Sequence, residues 1–474
     1  MKFLFVINSV DKYFYAGPAA ISAMLKRHGH ETALINYDRS YNLAKFRDHL
    51  RRIDPDVVGF SVLTYQWPTI QELARTVKES LGVPTVCGGF HVSFSPEQVI
   101  QSPHVDFICK GEGDFAVLDL VRALESGGDT RSIPNIWAKE RGPQGELRII
   151  RNEIRPLARD MDDYPYWDRE MYDFDALLEK GGALTYELDS RIMPVQAGRG
   201  CPYMCSYCGN QALLKMYKGK GAFVRRRSPD NIVAELRHLI DRYKVEAFEF
   251  WDEDFFAIQK SWLREFFAKY RDRVGIPFFL GVRADNADRE NLRLAKDAGC
   301  HLICMGVEHG NEEFRKKYLN RHMSNEKLLE AFAYAKEIGL ERASLNIMGF
   351  PFETKEQVLE TLAINKKLDP DYFHFFVYQA FPGCDLHDVA REHGFLPNVY
   401  YAVYQNPEGA LVQPTLSLED VKACWHQYDE FRRHVDARRE AARTSNRAAL
   451  EFATHGAADA LVDSASASVA QAML

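Results

Sequence analysis

The sequence predicts an α/β protein: an N-terminal doubly wound parallel sheet, a second α/β half, and a helical C-terminal region. Three observations predict it. Short β-branched runs alternate with amphipathic stretches over residues 1–128, the alternation returns over residues 191–385, and a charge-rich helical stretch follows at 418–443. Residues 129–190 lose the pattern and read as a linker, and residues 386–474 form the C-terminal region.

In the first half Phe3–Ile7, Thr32–Asn36, Val57–Phe60, Thr85–Cys87 and Phe107–Cys109 read as strands. Ala19–His28, Leu43–Arg52 and Ile70–Ser80 lie between them as helices. A sheet of this kind binds its ligand at the carboxyl ends of its strands, beside the point where the strand order reverses. In the linker, Pro134, Pro156, Pro165 and the acidic-aromatic run Asp160–Trp167 suggest a segment packed over the junction. The second half offers six strands: Ile192–Ala197, Ala247–Trp251, Phe278–Val282, Leu302–Val307, Ser344–Gly349 and Phe373–Tyr378. Helices fall between them, including Asn231–Tyr243, capped by Ser228-Pro229-Asp230, and Asn325–Ile338. Tyr400, Tyr401 and Tyr404 are expected to cap the mouth of this half. Leu418–Arg443 reads as one or two helices, and the final Ala/Ser-rich run, without a strong apolar face, reads as mobile.

At 474 residues the chain is long enough for two or three domains, and 46% hydrophobic with 27% charged residues is ordinary globular usage. A net charge of −7 argues against nucleic-acid binding steered by bulk charge. The longest apolar runs are strand-length, so no membrane span is expected. Met1–Asn8 reads as a first strand and not as a signal peptide. Nine cysteines, three of them clustered, fit a reducing cytoplasm better than a disulfide scaffold.

Those three are the most informative residues of the chain. Cys201-Pro-Tyr-Met-Cys205-Ser-Tyr-Cys208 spaces three thiolates so that they can hold three irons of a 4Fe–4S cluster, leaving the fourth open to a small molecule. A closed zinc site needs four protein ligands, and no fourth Cys or His stands nearby. Gly198, Gly200 and Gly209 flank the loop and favour a tight turn.

This loop resembles that of the radical S-adenosylmethionine (SAM) enzymes. In that family the open iron chelates SAM, and the reduced cluster cleaves it to a 5′-deoxyadenosyl radical. Tyr207, just before the third cysteine, matches the family's ring beside the SAM adenine. The six βα units match the family's partial (βα)6 barrel, which works at the carboxyl ends of its strands. Trp251-Asp252-Glu253-Asp254-Phe255 is similar to the acidic motif that receives the SAM ammonium, which implies Asp252 and Glu253; a helix N-terminal charge cluster is the other reading. Arg283 either pairs with the SAM carboxylate in a bidentate fork or forms a surface ion pair. Gly306-Val-Glu308-His309-Gly310 resembles the family's Gly-x-Glu-Ser-Gly, implying SAM contacts from Glu308 and leaving His309 without a role. Gly349-Phe-Pro351-Phe-Glu353-Thr354 is similar to Gly-x-Pro-Gly-Glu-Thr, which implies Gly349 and Pro351. Phe352 replaces the second glycine, so the backbone there is expected to lie farther from the adenosine.

The loops at the carboxyl edge of the first half resemble those of the cobalamin-binding domain found upstream of many radical SAM barrels. The resemblance implies contacts from Asn8, Ser61, Thr64, Gly88, Gly89, His91, Gly111, Glu112 and Gly113; a histidine satisfied by its own loop is the other reading of His91. Cobalamin domains of the methionine synthase type ligate cobalt through Asp-x-His-x-x-Gly. Here the first loop reads Asp11-Lys-Tyr13-Phe-Tyr-Ala16, so cobalamin is expected without a histidine lower ligand. The nearest look-alike, Asp385-Leu-His387, lies outside this half.

The resemblance covers residues 1–385. It implies a cobalamin-dependent radical SAM methyltransferase that removes a hydrogen atom from an unactivated carbon and installs a methyl group. The expected substrate is a small molecule of lipid or natural-product type, and the expected partner an external one-electron reductant of flavodoxin or ferredoxin type. Two alternatives stand: a cyclase or rearrangement enzyme with the same cofactors, separated by product mass, and a non-catalytic sensor, separated by the absence of 5′-deoxyadenosine. Phe373, Phe375, Phe376 and Phe381 form either an apolar mouth or barrel core. Cys300 and Cys304 are expected to share one strand face and to serve packing.

Overall fold

Phe3 and Phe5 are buried in one core and Leu4 and Val6 in another. A strand apolar on both faces is what a sheet covered by helices on both sides requires. The computed structural model describes residues 1–9, 14–38, 40–141, 146–179, 191–397 and 406–471. Asp11–Tyr13 of the first loop and Tyr400, Tyr401 and Tyr404 lie outside the described residues. The N-terminal strands are β1 (Lys2–Asn8), β2 (Glu31–Tyr37), β3 (Val57–Ser61), β4 (Thr85–Gly88) and β5 (Phe107–Cys109). They pair in parallel in the order β2-β1-β3-β4-β5. The order reverses between β1 and β3, whose carboxyl ends are Asn8 and Ser61. Helices α1 (Ala16–Arg27) and α6 (Asp114–Ser126) pack together on the Phe3 face, and α2 (Leu43–Ile53) packs with α3 (Trp67–Ser80) on the Leu4 face. Short helices α4 (Phe90–Phe94) and α5 (Pro96–Gln101) follow β4.

The segment read as a linker contributes two strands absent from the sequence-based assignment. β6 (Ile136–Arg141) pairs antiparallel with β5, and β7 (Leu147–Arg151) with β6, giving a seven-stranded sheet. A short helix, α7 (Phe174–Glu179), follows.

The second sheet is six-stranded, all parallel, and curls into a half barrel. Its strands are β8 (Ile192–Val195), β11 (Ala247–Phe250), β12 (Phe278–Arg283), β13 (Cys300–Glu308), β14 (Glu341–Met348) and β15 (Tyr372–Val377), in that spatial order. A two-stranded ribbon, β9 (Gly198–Arg199) with β10 (Arg225–Arg226), projects from it. Helices α8 (Gly209–Met216), α9 (Pro229–Tyr243), α10 (Lys260–Arg273), α11 (Arg289–Asp297), α12 (Glu312–Tyr318), α13 (Asn325–Glu337) and α14 (Lys355–Leu368) follow in turn. Ser228 caps α9 as expected, accepting from Asn231 N at 3.2 Å. Inside the barrel, Ile192, Ala247, Phe279, Leu302 and Ala343 form a small core.

One expectation is corrected. A register shift beside Phe278 skips His301, so Cys300 joins the outer core and Cys304 the inner one; the bulge breaks the shared face. After α15 (Asp385–Glu392), one helix, α16 (Leu418–Gln471), spans the stretch read as one or two helices and continues into the Ala/Ser-rich run, as its alanine content favours. Its first turns cover Phe373 and Phe375, which are therefore core, with Val421, Cys424 and Tyr428. No helix of the described residues is long and apolar enough to cross a membrane. All nine cysteines are free thiols.

Candidate active site

Gly200 alone separates β9 from Cys201, and Cys208 is the N-cap of α8. Cys201 and Cys205 are buried and Cys208 partly so. Burial pushes the Cys201 thiol up to about 12 and raises that of Cys208, and the neighbouring sulfurs add to both. Such thiols stay protonated unless a cation replaces the proton. Among the described residues no three Cys, His, Asp or Glu side chains converge on a single ion.

The acidic run divides by direction. Asp252 turns into protein, accepting from Ala197 N at 2.8 Å with Arg226 Nε 3.7 Å away. Asp254 also turns inward, accepting from Asn286 Nδ2 at 2.6 Å, and burial lifts its carboxyl to about 6. Glu253 alone faces the cavity between the two halves. Burial and the Asp252 charge raise its pKa.

Arg283 is buried, forked onto Asp285 at 3.0 and 2.7 Å, and its Nη1 donates to Cys205 Sγ at 3.1 Å. It is no surface ion pair. Glu308 ends β13 with φ +64° and its Oε1 lies 3.6 Å from Arg321 Nη1. Burial raises the Glu308 carboxyl while Arg321 opposes it. The Tyr207 hydroxyl accepts from the same Arg321 nitrogen at 3.3 Å, and its ring meets Phe350 edge-on at 5.5 Å. Arg321, which the sequence pattern did not mark, thus ties Tyr207 to Glu308. It also donates to Gly306 O at 2.6 Å.

At the fifth strand end Gly349 takes φ +87°, open to glycine, and Pro351 follows in the same turn. The amides of Gly349 and Phe350 donate to Glu353 Oε2 at 2.5 and 2.9 Å. His309, fully buried, accepts from Asn311 N at Nδ1 (3.0 Å), and its Nε2 lies 3.0 Å from Glu353 Oε1. Phe352 holds φ +65°, the region its missing glycine would use, with its amide on Gln413 Oε1 at 2.7 Å and its ring against Phe395.

A cavity of about 300 Å³ joins the two halves. Its depth, between the first sheet and helices α1 and α6, is apolar: Phe3, Phe5, Ile21, Val86 and Val117. Ser61, Gly88, Gly89, Gly111, Glu112 and Gly113 line its middle, and Gln196, Arg199, Gly200, Asn210 and Glu253 its barrel side. Three of the expected cobalamin contacts are not among the lining residues. The Asn8 carbonyl accepts from Gln66, and Thr64 opens a 3-10 turn. His91 is buried against Trp67, ring centroids 5.7 Å apart, with no hydrogen-bond partner for either nitrogen.

The middle loop is bolted to the barrel. Arg199 forks onto Asp114 at 2.8 and 3.0 Å, and Arg225, its partner across the β9–β10 ribbon, pairs with Glu112. Burial would raise the Asp114 carboxyl, but Arg199 overrides it and holds it below the usual range. Glu112 N donates to Tyr217 Oη at 2.7 Å, and a Cβ on Gly111 would fall 2.1 Å from that oxygen. Neither arginine belongs to a cofactor motif. The sequence reading marked neither of them.

Two family models match the chain. The Radical SAM superfamily model covers residues 195–363, and the B12 binding domain model covers residues 5–121. An uncharacterized methyltransferase of Pyrococcus horikoshii is 26% identical over 81% of this chain and 80% of its own length. The anaerobic magnesium-protoporphyrin IX monomethyl ester cyclase of Rubrivivax gelatinosus is 25% identical over 72% of this chain but 59% of its own length. In fold, the chain resembles the radical S-adenosylmethionine methyltransferase TsrM of Kitasatospora setae, with a TM-score of 0.64, 18% identity, and coverage of 82% and 76% of the two chains.

Proposed function

This chain belongs to the cobalamin-dependent radical SAM enzymes, and from that premise we propose that it methylates an unactivated carbon of a small organic molecule. The observation that carries the proposal is a cavity of about 300 Å³ walled by both halves. Ser61, Gly88, Gly89 and Glu112 line it from one side and Arg199, Gly200, Asn210 and Glu253 from the other, and Gly200 directly precedes Cys201.

The residues present fit the cofactors. Cys201, Cys205 and Cys208 would hold a 4Fe–4S cluster; Tyr207, Glu308 and the turn at Gly349 and Pro351 would hold SAM. The apolar depth between Phe3, Phe5, Val86 and Val117 suits a planar base, and Ser61 and the glycines beside it suit the ring above. When bound, the cluster with SAM supplies a radical that removes a hydrogen atom, and cobalamin supplies a methyl group to the same cavity. The chain's own residues bind, orient and exclude water. Arg199 and Arg225 hold the loop carrying Glu112 against the barrel, and Glu353 fixes the fifth strand end. The reading requires an external one-electron reductant of flavodoxin or ferredoxin type and a reducing compartment such as the cytoplasm.

A second reading, cyclisation or rearrangement without methyl transfer, is favoured by the similarity to the Rubrivivax cyclase. The test is anaerobic reconstitution with hydroxocobalamin, reductant and SAM bearing a trideuterated methyl group, in the presence of a metabolite extract. A product heavier by a deuterated methyl in place of hydrogen is expected. Products that lose hydrogen or gain oxygen favour the second reading, and absence of 5′-deoxyadenosine sinks both.

A further inference from the structure

One cation is fixed against one sulfur of the cysteine loop. Arg283 is 7% exposed, and its Nη1 donates to Cys205 Sγ at 3.1 Å. Asp285 takes its Nε and Nη2, and the Tyr203 ring lies 3.8 Å from its guanidinium carbon. Two independent supports therefore hold the donor in place. Arg321 Nη1 lies 3.9 Å from the same sulfur, whereas Cys208 receives the neutral side-chain amide (3.9 Å) and backbone N–H of Asn210, and Cys201 the backbone N–H of Tyr203. The three ligands are not electrostatically equivalent.

We propose that Arg283 sets the reduction potential of the cluster by acting through Cys205. The inference rests on the reading that this loop holds a 4Fe–4S cluster. One electron from an external donor makes the cluster more negative, with no proton or ligand exchanged. A buried cation donating a hydrogen bond to one of the thiolates stabilises that added charge, so it favours reduction. Tyr203 and the protein around Arg283 keep water from screening it. Asp285 offsets part of the charge but fixes the guanidinium, whose Nε/Nη2 edge it occupies. Arg283 is thus a positioning residue for the cluster, beyond the SAM contact suggested by its place at the strand end.

The test is a midpoint titration of the full-length, anaerobically reconstituted protein without SAM. Dithionite and viologen mediators set the potential, and electron paramagnetic resonance counts reduced cluster. Arg283→Gln is expected to shift the midpoint more negative, by about tenfold in the reduction equilibrium, or about 59 mV for a one-electron couple. Arg283→Lys, which keeps the charge, should restore most of that shift. An unchanged midpoint with full iron and sulfide content in Arg283→Gln overturns the proposal, even if SAM affinity falls. If Arg283→Gln fails to load iron, Arg321→Gln carries the test: a smaller shift of the same sign supports the proposal and no shift overturns it. Wild-type protein that takes up no iron defeats the cluster reading itself, a failure the metal analysis identifies separately.

Discussion

A buried histidine with no partner makes stability depend on pH. Desolvation lowers the His91 pKa from 6.5 to about 4, so the folded state keeps the ring neutral while the unfolded chain takes up a proton below 6.5. The stabilisation is complete above pH 6.5 and is lost as pH falls towards 4, by up to about 3 kcal/mol. His91→Phe should flatten that slope in urea titrations run between those values, and an unchanged slope would remove His91 as its source. At Glu308 the expectation concerns binding. Glu308→Gln should weaken SAM binding about tenfold in isothermal titration, with normal iron content, since a charged hydrogen bond contributes about 1.5–3 kcal/mol. The residue scale is also where the sequence was least legible. Asp252, Glu253 and Asp254 follow one another without periodicity once the chain leaves its strand, so nothing in their order marks Glu253 as the one facing the cavity. Arg321 stands in a loop thirteen residues after Glu308 and carries no motif.

The elements were read more fully than their connections. All five N-terminal parallel strands and all six barrel strands were legible, because each is a short β-branched or aromatic run between turn signals. The hairpin β6–β7 was not, although Gly142-Pro143-Gln144-Gly145 separates its strands in sequence. Lys139, Glu140, Arg141 and Arg148 dilute the apolar alternation, since one face of an added antiparallel edge meets solvent. The bulge at His301 was equally hidden, because a strand's period is legible only while its register holds. The hairpin covers the β5 edge, so a fragment of residues 1–160 should withstand more urea than residues 1–128. Equal midpoints would mean that the hairpin adds nothing to the first half.

At the scale of the molecule, iron content tests the cluster ligands. Cys201→Ala, Cys205→Ala and Cys208→Ala should each abolish 5′-deoxyadenosine formation, while Cys87→Ala and Cys300→Ala, both in apolar cores, should retain about four irons per chain after reconstitution. Stoichiometric zinc in the wild type would contradict the assignment. The first loop carries no histidine in its sequence, and we expect cob(II)alamin bound here to show no nitrogen superhyperfine splitting from protein. The division into two cofactor-binding halves was legible from motifs; the bolt between them was not, because Arg199–Asp114 and Arg225–Glu112 join residues far apart in sequence. Removing one partner of the former by Asp114→Asn should cost roughly 3 kcal/mol in chemical denaturation. The same bolt sets the clearance across the cavity, whose floor lies in one half and whose roof lies in the other. Releasing it by Asp114→Asn should let the two walls drift apart, so hydroxocobalamin should be held less tightly in a titration followed by visible absorbance, and an unchanged affinity would mean that the ion pairs do not hold the walls in register.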